Sequence, residues 1–506
     1  MMAILTVLWW FVLAAHPVSG SAELPETPRP GIEASPTGSP ALAKALGSLS
    51  ATRMQSDVAQ VSAPEFNGRQ SGTADDLRSA LFVAERFHSL HLRPSGAEAL
   101  PGATLSGAWA QSDSVTVSQI ADPALLDISS GGATHTAQLG TDYLPILDSP
   151  SVNVTAPILF VGYGISDPAR GFDEYDGLDA RDKIVLVLRG KPEGYAGPSG
   201  QAKKIRVARE KGAAACLTVT GPVLSAYEVR RGMTVKPMAS YGAELLPGAW
   251  ITPALADVVL LSTGRTLRQI QEHLNQTLRP QSVRTDAVAH LTWKRTQTPG
   301  RLLNVLGVIP GHDPVARHET VLVGAHRDHF GRQAGLLFPG ADDNASGTAV
   351  LLDVARVLAE SPMTPRRTIL FISFSGEEQG LLGSRLYVQH PVFPIDRTVA
   401  MINLDHAGIG NGRLTVGITG HSKERAAEAG HTAGVPDKLD LFGFFPGGDH
   451  VPFKEAGVPT VTIVSGGPHP HFHQPSDRAD TVQRDILETA ARYALALAWL
   501  LANTER

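Results

Sequence analysis

Cysteine is almost missing from this chain: Cys216 is the one thiol in 506 residues. That excludes an intramolecular disulfide framework and any site built from several thiolates, so a bound metal must rely on His, Asp and Glu. A basic excess is missing too. The 44 Lys and Arg side chains face 49 Asp and Glu, for a net charge of −5. This removes the electrostatic footprint of a nucleic-acid-binding protein or of one held on an anionic membrane. Charged residues are 18% and hydrophobic residues 42%, a balance that excludes a disordered or fibrous chain. Long apolar runs are absent beyond the N-terminus. The run found there, Ala3 to Ala15, has thirteen residues, too few to span a bilayer as a helix.

That run has the length of a secretory signal core. Small residues follow it at Val18-Ser19-Gly20 and Gly20-Ser21-Ala22, where cleavage is expected. No Lys or Arg precedes it, so the free amino group is the positive charge on that side. Residues 1–22 are read as a signal peptide. The protein is then exported, periplasmic or extracellular, with no stable membrane insertion after cleavage. Residues 23–50, rich in Pro, Ser, Gly and Thr, are read as a linker.

Three further segments follow. In 51–145, apolar residues at Leu77, Ala80, Leu81, Ala84 and Phe87 have helical spacing, with Ser71 or Thr73 as cap and Pro94 as stop. Residues 100 to 150 read as strand-rich. In 146–280, APILFVGYGI, DKIVLVLRG, a helical KKIRVAREKGAAA and CLTVTG give strand, strand, helix, strand, a small β-rich or α+β module. Cys216 in its apolar run reads as a buried small hydrophobe. In 281–506, strands at NVLGVIPG, TVLVGAH, RTILFISFSG, RTVAMINLDHAG and VPTVTIVSG alternate with helices at 344–361, 380–389 and 481–502. This alternation predicts an α/β fold with a mostly parallel mixed sheet sandwiched by helices.

In such folds the site forms at the carboxyl ends of strands. Twelve of the 18 histidines lie after residue 300, and acids cluster where strands end. The first ending is His326-Arg327-Asp328-His329, where an acid two residues from an imidazole suits a metal ligand and its orienting partner. The second, Ala341-Asp342-Asp343-Asn344, has one more carboxylate than a helix cap needs. The third, Gly376-Glu377-Glu378, offers one acid to bind metal and a neighbour to move a proton. The fourth is Asp405-His406 after an apolar strand. Last, His469, His471 and His473 alternate before Asp477, and only one of them need be a ligand. Hard oxygen donors with imidazole and no thiolate suit a hydrolytic zinc pair, with manganese or cobalt also compatible.

The order HxD, GADDNASG, SGEE, INLD, then a late His and Asp resembles the di-zinc exopeptidase family of aminopeptidase Y and aminopeptidase S. Glutamate carboxypeptidase II and the transferrin receptor are relatives. The resemblance covers roughly 295 to 490, and Gly68-Arg69 through Thr73 resembles the family's N-terminal helix entry. YDGLDARDKIVLVLRG and AREKGAAACLTV resemble a protease-associated domain inserted in the peptidase fold. The resemblance implies a peptidase domain made of 51–145 and 281–506, with 146–280 as the insert. It implies two Zn2+ per chain. His326 and Asp405 would complete one site, Glu378 and His473 the other, and Asp343 would bridge them. It also implies that Glu377 is the general base, that Asp328 orients His326 and that Asp477 holds the His473 loop. The implied function is an aminopeptidase acting on peptides by metal-activated water attack.

Some positions depart from the family. Phe472 stands where some members have a Tyr that donates to the oxyanion. Arg327 resembles the carboxypeptidase and receptor branch, which bears on substrate preference. His406 replaces a frequent Met, and His450 lies near the site in the family pattern. The alternatives are a carboxypeptidase or dipeptidase on the same centre, and a non-catalytic receptor-like binding protein. Intact ligand positions argue against the last.

Overall fold

The computed structural model describes residues 40–504, apart from 226–227, 230–233 and 243–245. The expected signal peptide and the first part of the expected linker, 1–39, lie outside the described residues. The end of the expected linker is helical instead. Pro40–Leu46 buries Leu42, Ala45 and Leu46, so apolar spacing outweighs the Pro/Ser-rich flank. Ala51–Val61 and Ala74–Ser89 follow, capped by the hydroxyls of Ser50 and Thr73.

One mixed sheet runs through the described chain. From one edge its order is Leu439–Phe442, Leu414–Thr419, Thr460–Ser465, Thr398–Leu404, Thr320–His326, Thr368–Phe374, Val283–Ile309, Val152–Phe160, Ile184–Leu188, Ala215–Val219, Gly248–Ile251 and Tyr143–Pro145. Thr320–His326 pairs in parallel with Thr368–Phe374 on one side and Thr398–Leu404 on the other. Thr398–Leu404 is also parallel to Thr460–Ser465.

These strands are apolar without interruption because both faces are covered. Val321, Val323, Ile369, Phe371 and Ile402 pack into the core that holds the helices Gly347–Glu360 and Arg484–Asn503. Their neighbours Leu322, Leu370, Ile372, Phe374 and Met401 face the opposite way, onto Tyr387 and Phe453. The period of two thus feeds two helix layers from one run of residues. The expected α/β fold, a largely parallel sheet between helices, is what the chain adopts here.

The 27-residue strand Val283–Ile309 joins this region to the 146–280 segment. Its end pairs antiparallel with Thr368–Phe374, its start with Val152–Phe160, and most of its length with Ala110–Ser130. Only its last part, NVLGVI, is apolar enough to read as a strand. The middle, Lys294 to Arg301, is a solvent-facing ribbon whose polar side chains carry no hydrophobic period. In the 146–280 segment the parallel strands Val152–Phe160, Ile184–Leu188, Ala215–Val219 and Gly248–Ile251 have their own cores. Cys216 is fully buried there, and burial pushes its thiol up to about 12.

Candidate metal centre

The parallel register decides what meets. His326 is level with Phe374, so the residues after Thr320–His326, Thr368–Phe374 and Thr398–Leu404 emerge at one rim. There His326 Nε2 lies 3.4 Å from Asp343 Oδ1 and 3.3 Å from Asp405 Oδ1. Asp343 Oδ2 is 3.0 Å from His473 Nε2, which is 3.5 Å from Glu378 Oε2. Asp343 therefore sits between two donor groups, one oxygen towards each. His326, Asp343 and Asp405 offer ligand atoms within 4.8 Å of one another, as do His329, Asp343 and Glu378.

Each imidazole is pinned from behind. His326 Nδ1 faces the backbone carbonyl of Asp328 at 3.3 Å, and His473 Nδ1 faces that of Ala239 at 2.8 Å. A ring that donates to a carbonyl on one nitrogen presents a lone pair on the other, as a metal-ligating histidine must. The Asp328 carboxylate is farther off, 3.7 Å from His326 Nδ1. It accepts the Glu377 backbone N–H at 3.3 Å, which seats the Glu377–Glu378 turn. Burial pushes Asp328 up to about 6.

The electrostatics express a shortage of positive charge. Burial opposes protonation of His326, yet Glu377, Asp405 and Asp343 together hold it well above the ordinary imidazole range. Asp343 is buried but held well below the usual carboxylate range by His406, His473 and His329. Glu377 is raised well above its usual value by burial and by Asp405 and Asp449, against the pull of His326. A raised carboxyl beside a ligand is suited to carry a proton.

Several neighbours were not legible as site residues. His329 is fully buried and lies 2.7 Å through Nδ1 from Glu378 Oε1. Asp342 lies between His406 and His469. Asp449, beside the anticipated His450, is buried, and burial pushes it up to about 7. His450 itself donates from Nε2 to the Phe445 carbonyl at 2.7 Å. A lone strand-end or loop residue carries no signal of its direction, so none of these stood out.

Asp477, on the His473 loop, accepts the backbone N–H of Asp342 and Asp343 at 2.9 and 3.0 Å, which ties the two loops together. It seats the loop that carries Asp343. Arg327 is fully buried, paired with Asp76 at 2.8 Å, and donates to the carbonyls of Leu303 and Ser373. Phe472 lies flat on the His473 ring, with centroids 3.7 Å apart.

The fold and this thiolate-free cluster of carboxylates and imidazoles at strand ends define a class: α/β proteins with side chains placed to hold a divalent cation. Over residues 304–498 the chain matches peptidase family M28. It is 26% identical over 449 residues to the Bacillus subtilis aminopeptidase YwaD, covering 87% of this chain and 82% of that protein. A solved zinc aminopeptidase from Bacillus subtilis, BSAP, superposes with a TM-score of 0.58 at 25% identity, covering 90% of this chain and 96% of that one. A peptidase M28 precursor from Shewanella amazonensis shares the fold, with a TM-score of 0.66 at 18% identity over 92% of this chain and 96% of that one.

Proposed function

We propose that this protein is an exported zinc aminopeptidase that releases N-terminal residues from peptides. One observation carries the reading: Asp343 presents one oxygen to His326 and the other to His473, with Asp405 and Glu378 completing the two flanks. Two Zn2+ fit that donor set, which holds borderline and hard donors and no thiolate. His326, Asp343 and Asp405 would hold one ion, and Asp343, Glu378 and His473 the other. When bound, the pair supplies Lewis-acid activation of water and of the scissile carbonyl. Glu377 accepts the water's proton and returns it to the leaving amine, a role its raised proton affinity supports. Asp328 seats Glu377 through its backbone N–H and stands behind His326. The carboxylate-rich pocket would receive the substrate's free α-amine, which makes the action exopeptidic. Similarity to the Bacillus subtilis aminopeptidase, in sequence and in fold, supports this choice over a carboxypeptidase.

Two parts of the reading rest on sequence alone. Residues 1–22 would direct export, and no helix among the described residues is long and apolar enough to cross a membrane. Residues 146–280 would be a protease-associated insert.

The test is product analysis on short peptides, free and blocked at each end. Release of the first residue from free and C-terminally blocked peptides, but not from N-acylated ones, is expected. Cleavage of N-acylated peptides from the C-terminus would overturn the aminopeptidase assignment.

A further inference from the structure

We infer that Asp342, His406 and His469 form a third divalent-cation site beside the catalytic pair. The offered atoms, Asp342 Oδ2, His406 Nδ1 and His469 Nδ1, lie within 4.8 Å of one another. His469 Nδ1 is 2.8 Å and His406 Nδ1 is 3.5 Å from the same Asp342 oxygen. Two imidazole nitrogens and one carboxylate oxygen suit zinc or another first-row divalent ion.

Hydrogen-bond accounting points to the cation. His469 Nε2 faces the Ser465 carbonyl at 3.0 Å, so that nitrogen donates and Nδ1 is left directed at the Asp342 carboxylate. A divalent cation between them would take the Nδ1 lone pair and the carboxylate oxygen as ligands. His326 and His473 show the same arrangement: a backbone carbonyl behind the ring and carboxylates in front. Arg69 is buried, and its hydrogen bonds go to the backbone carbonyls of Val61, Arg327, Pro339 and Gly340.

The third site is coupled to the catalytic one. With Nδ1 committed to the cation, His406 has its Nε2–H left to donate. That atom lies 3.5 Å from Asp343 Oδ2 and 3.8 Å from Asp405 Oδ1. Asp342 is held from its other oxygen by the Gly408 N–H at 2.8 Å. A cation here would fasten three loops, those carrying Asp343, Asp405 and His473, to one another.

The experiment counts zinc in the intact protein. Wild type, His469→Ala, His406→Met and His471→Ala are equilibrated with excess Zn2+ and gel-filtered. Metal per chain is then read by plasma mass spectrometry, with thermal melts to confirm folding. His471 serves as control because its Nδ1 faces Ser476 within the same loop. Three ions are expected in wild type and His471→Ala, and two in each of the other variants. A wild type holding two ions overturns the inference. So does a count of three retained in folded His469→Ala and His406→Met. Peptide hydrolysis is assayed separately, so a failed third site leaves the peptidase reading standing.

Discussion

His473 and Ala239 exchange two hydrogen bonds. His473 Nδ1 donates to the Ala239 carbonyl at 2.8 Å, and the Ala239 N–H donates to the His473 carbonyl at 2.9 Å. The partners are 234 positions apart. A residue of the 146–280 segment thereby aims a candidate metal ligand. His473 has a positive φ of 55°, which this reciprocal pair helps to hold. Ala239→Pro, which deletes the N–H, is expected to lower kcat/KM by about 10- to 100-fold through weakened metal binding. Steady-state kinetics at limiting and excess zinc check it; excess zinc should recover part of the loss.

Glu377→Gln should retain the zinc content of wild type and lose about 10²- to 10⁴-fold in kcat. The pairing of kinetics with metal analysis is what discriminates. A variant that turns over at the wild-type rate would remove Glu377 from the mechanism.

Asp343→Ala should lose both catalytic ions together, because each donor group uses one of its oxygens. Asp405→Ala, which touches only the His326 side of the centre, should weaken one ion more than the other. Stepwise zinc release to a chromogenic chelator distinguishes one class of released ion from two.

Arg327→Met should destabilise the fold by about 3–5 kcal/mol, since it strands the buried Asp76 carboxylate without its cation. Substrate preference among peptides that are still cleaved should not change. Denaturant unfolding and a peptide panel on the same sample test both halves. A selective change in substrate ranking would show that Arg327 acts on specificity as well as on stability.

Glu174 titrates inside the 146–280 segment. Its oxygens accept the N–H groups of Tyr163 and Ile165, both at 2.9 Å, yet burial pushes its carboxyl up to about 7 from 4.5. The folded chain therefore holds this proton more tightly than the unfolded one. Its contribution to stability is full below the unfolded value and is lost as pH rises through about 7. The stability of wild type minus that of Glu174→Gln should fall by roughly 3 kcal/mol across that window. Paired melts between the two pH limits measure it, and a flat difference would show that the carboxyl titrates as it does in water.

The strands ending at His326, Phe374 and Leu404 were legible because they are buried on both faces and so carry unbroken apolar runs. The strands Leu414–Thr419 and Leu439–Phe442 and the helix Lys423–Ala433 were not read. They lie at the sheet edge, where partial exposure dilutes the pattern. The middle of Val283–Ile309 was illegible for the related reason that a solvated ribbon needs no hydrophobic alternation.

What the amino-acid order settled by itself is chemical: which donor types are present, that thiolates are excluded, and that acids and imidazoles follow strands whose ends must share a rim. Those properties are local, written in composition and short-range period. Tertiary structure alone decided the directions. It turned Asp343 towards two donor groups and Asp342 towards His406 and His469, sent Arg327 inward to Asp76, and set Ala239 behind His473. A lone pair is useful to a cation only within a few ångströms and along one direction, and that alignment depends on strand register and on contacts between residues hundreds of positions apart.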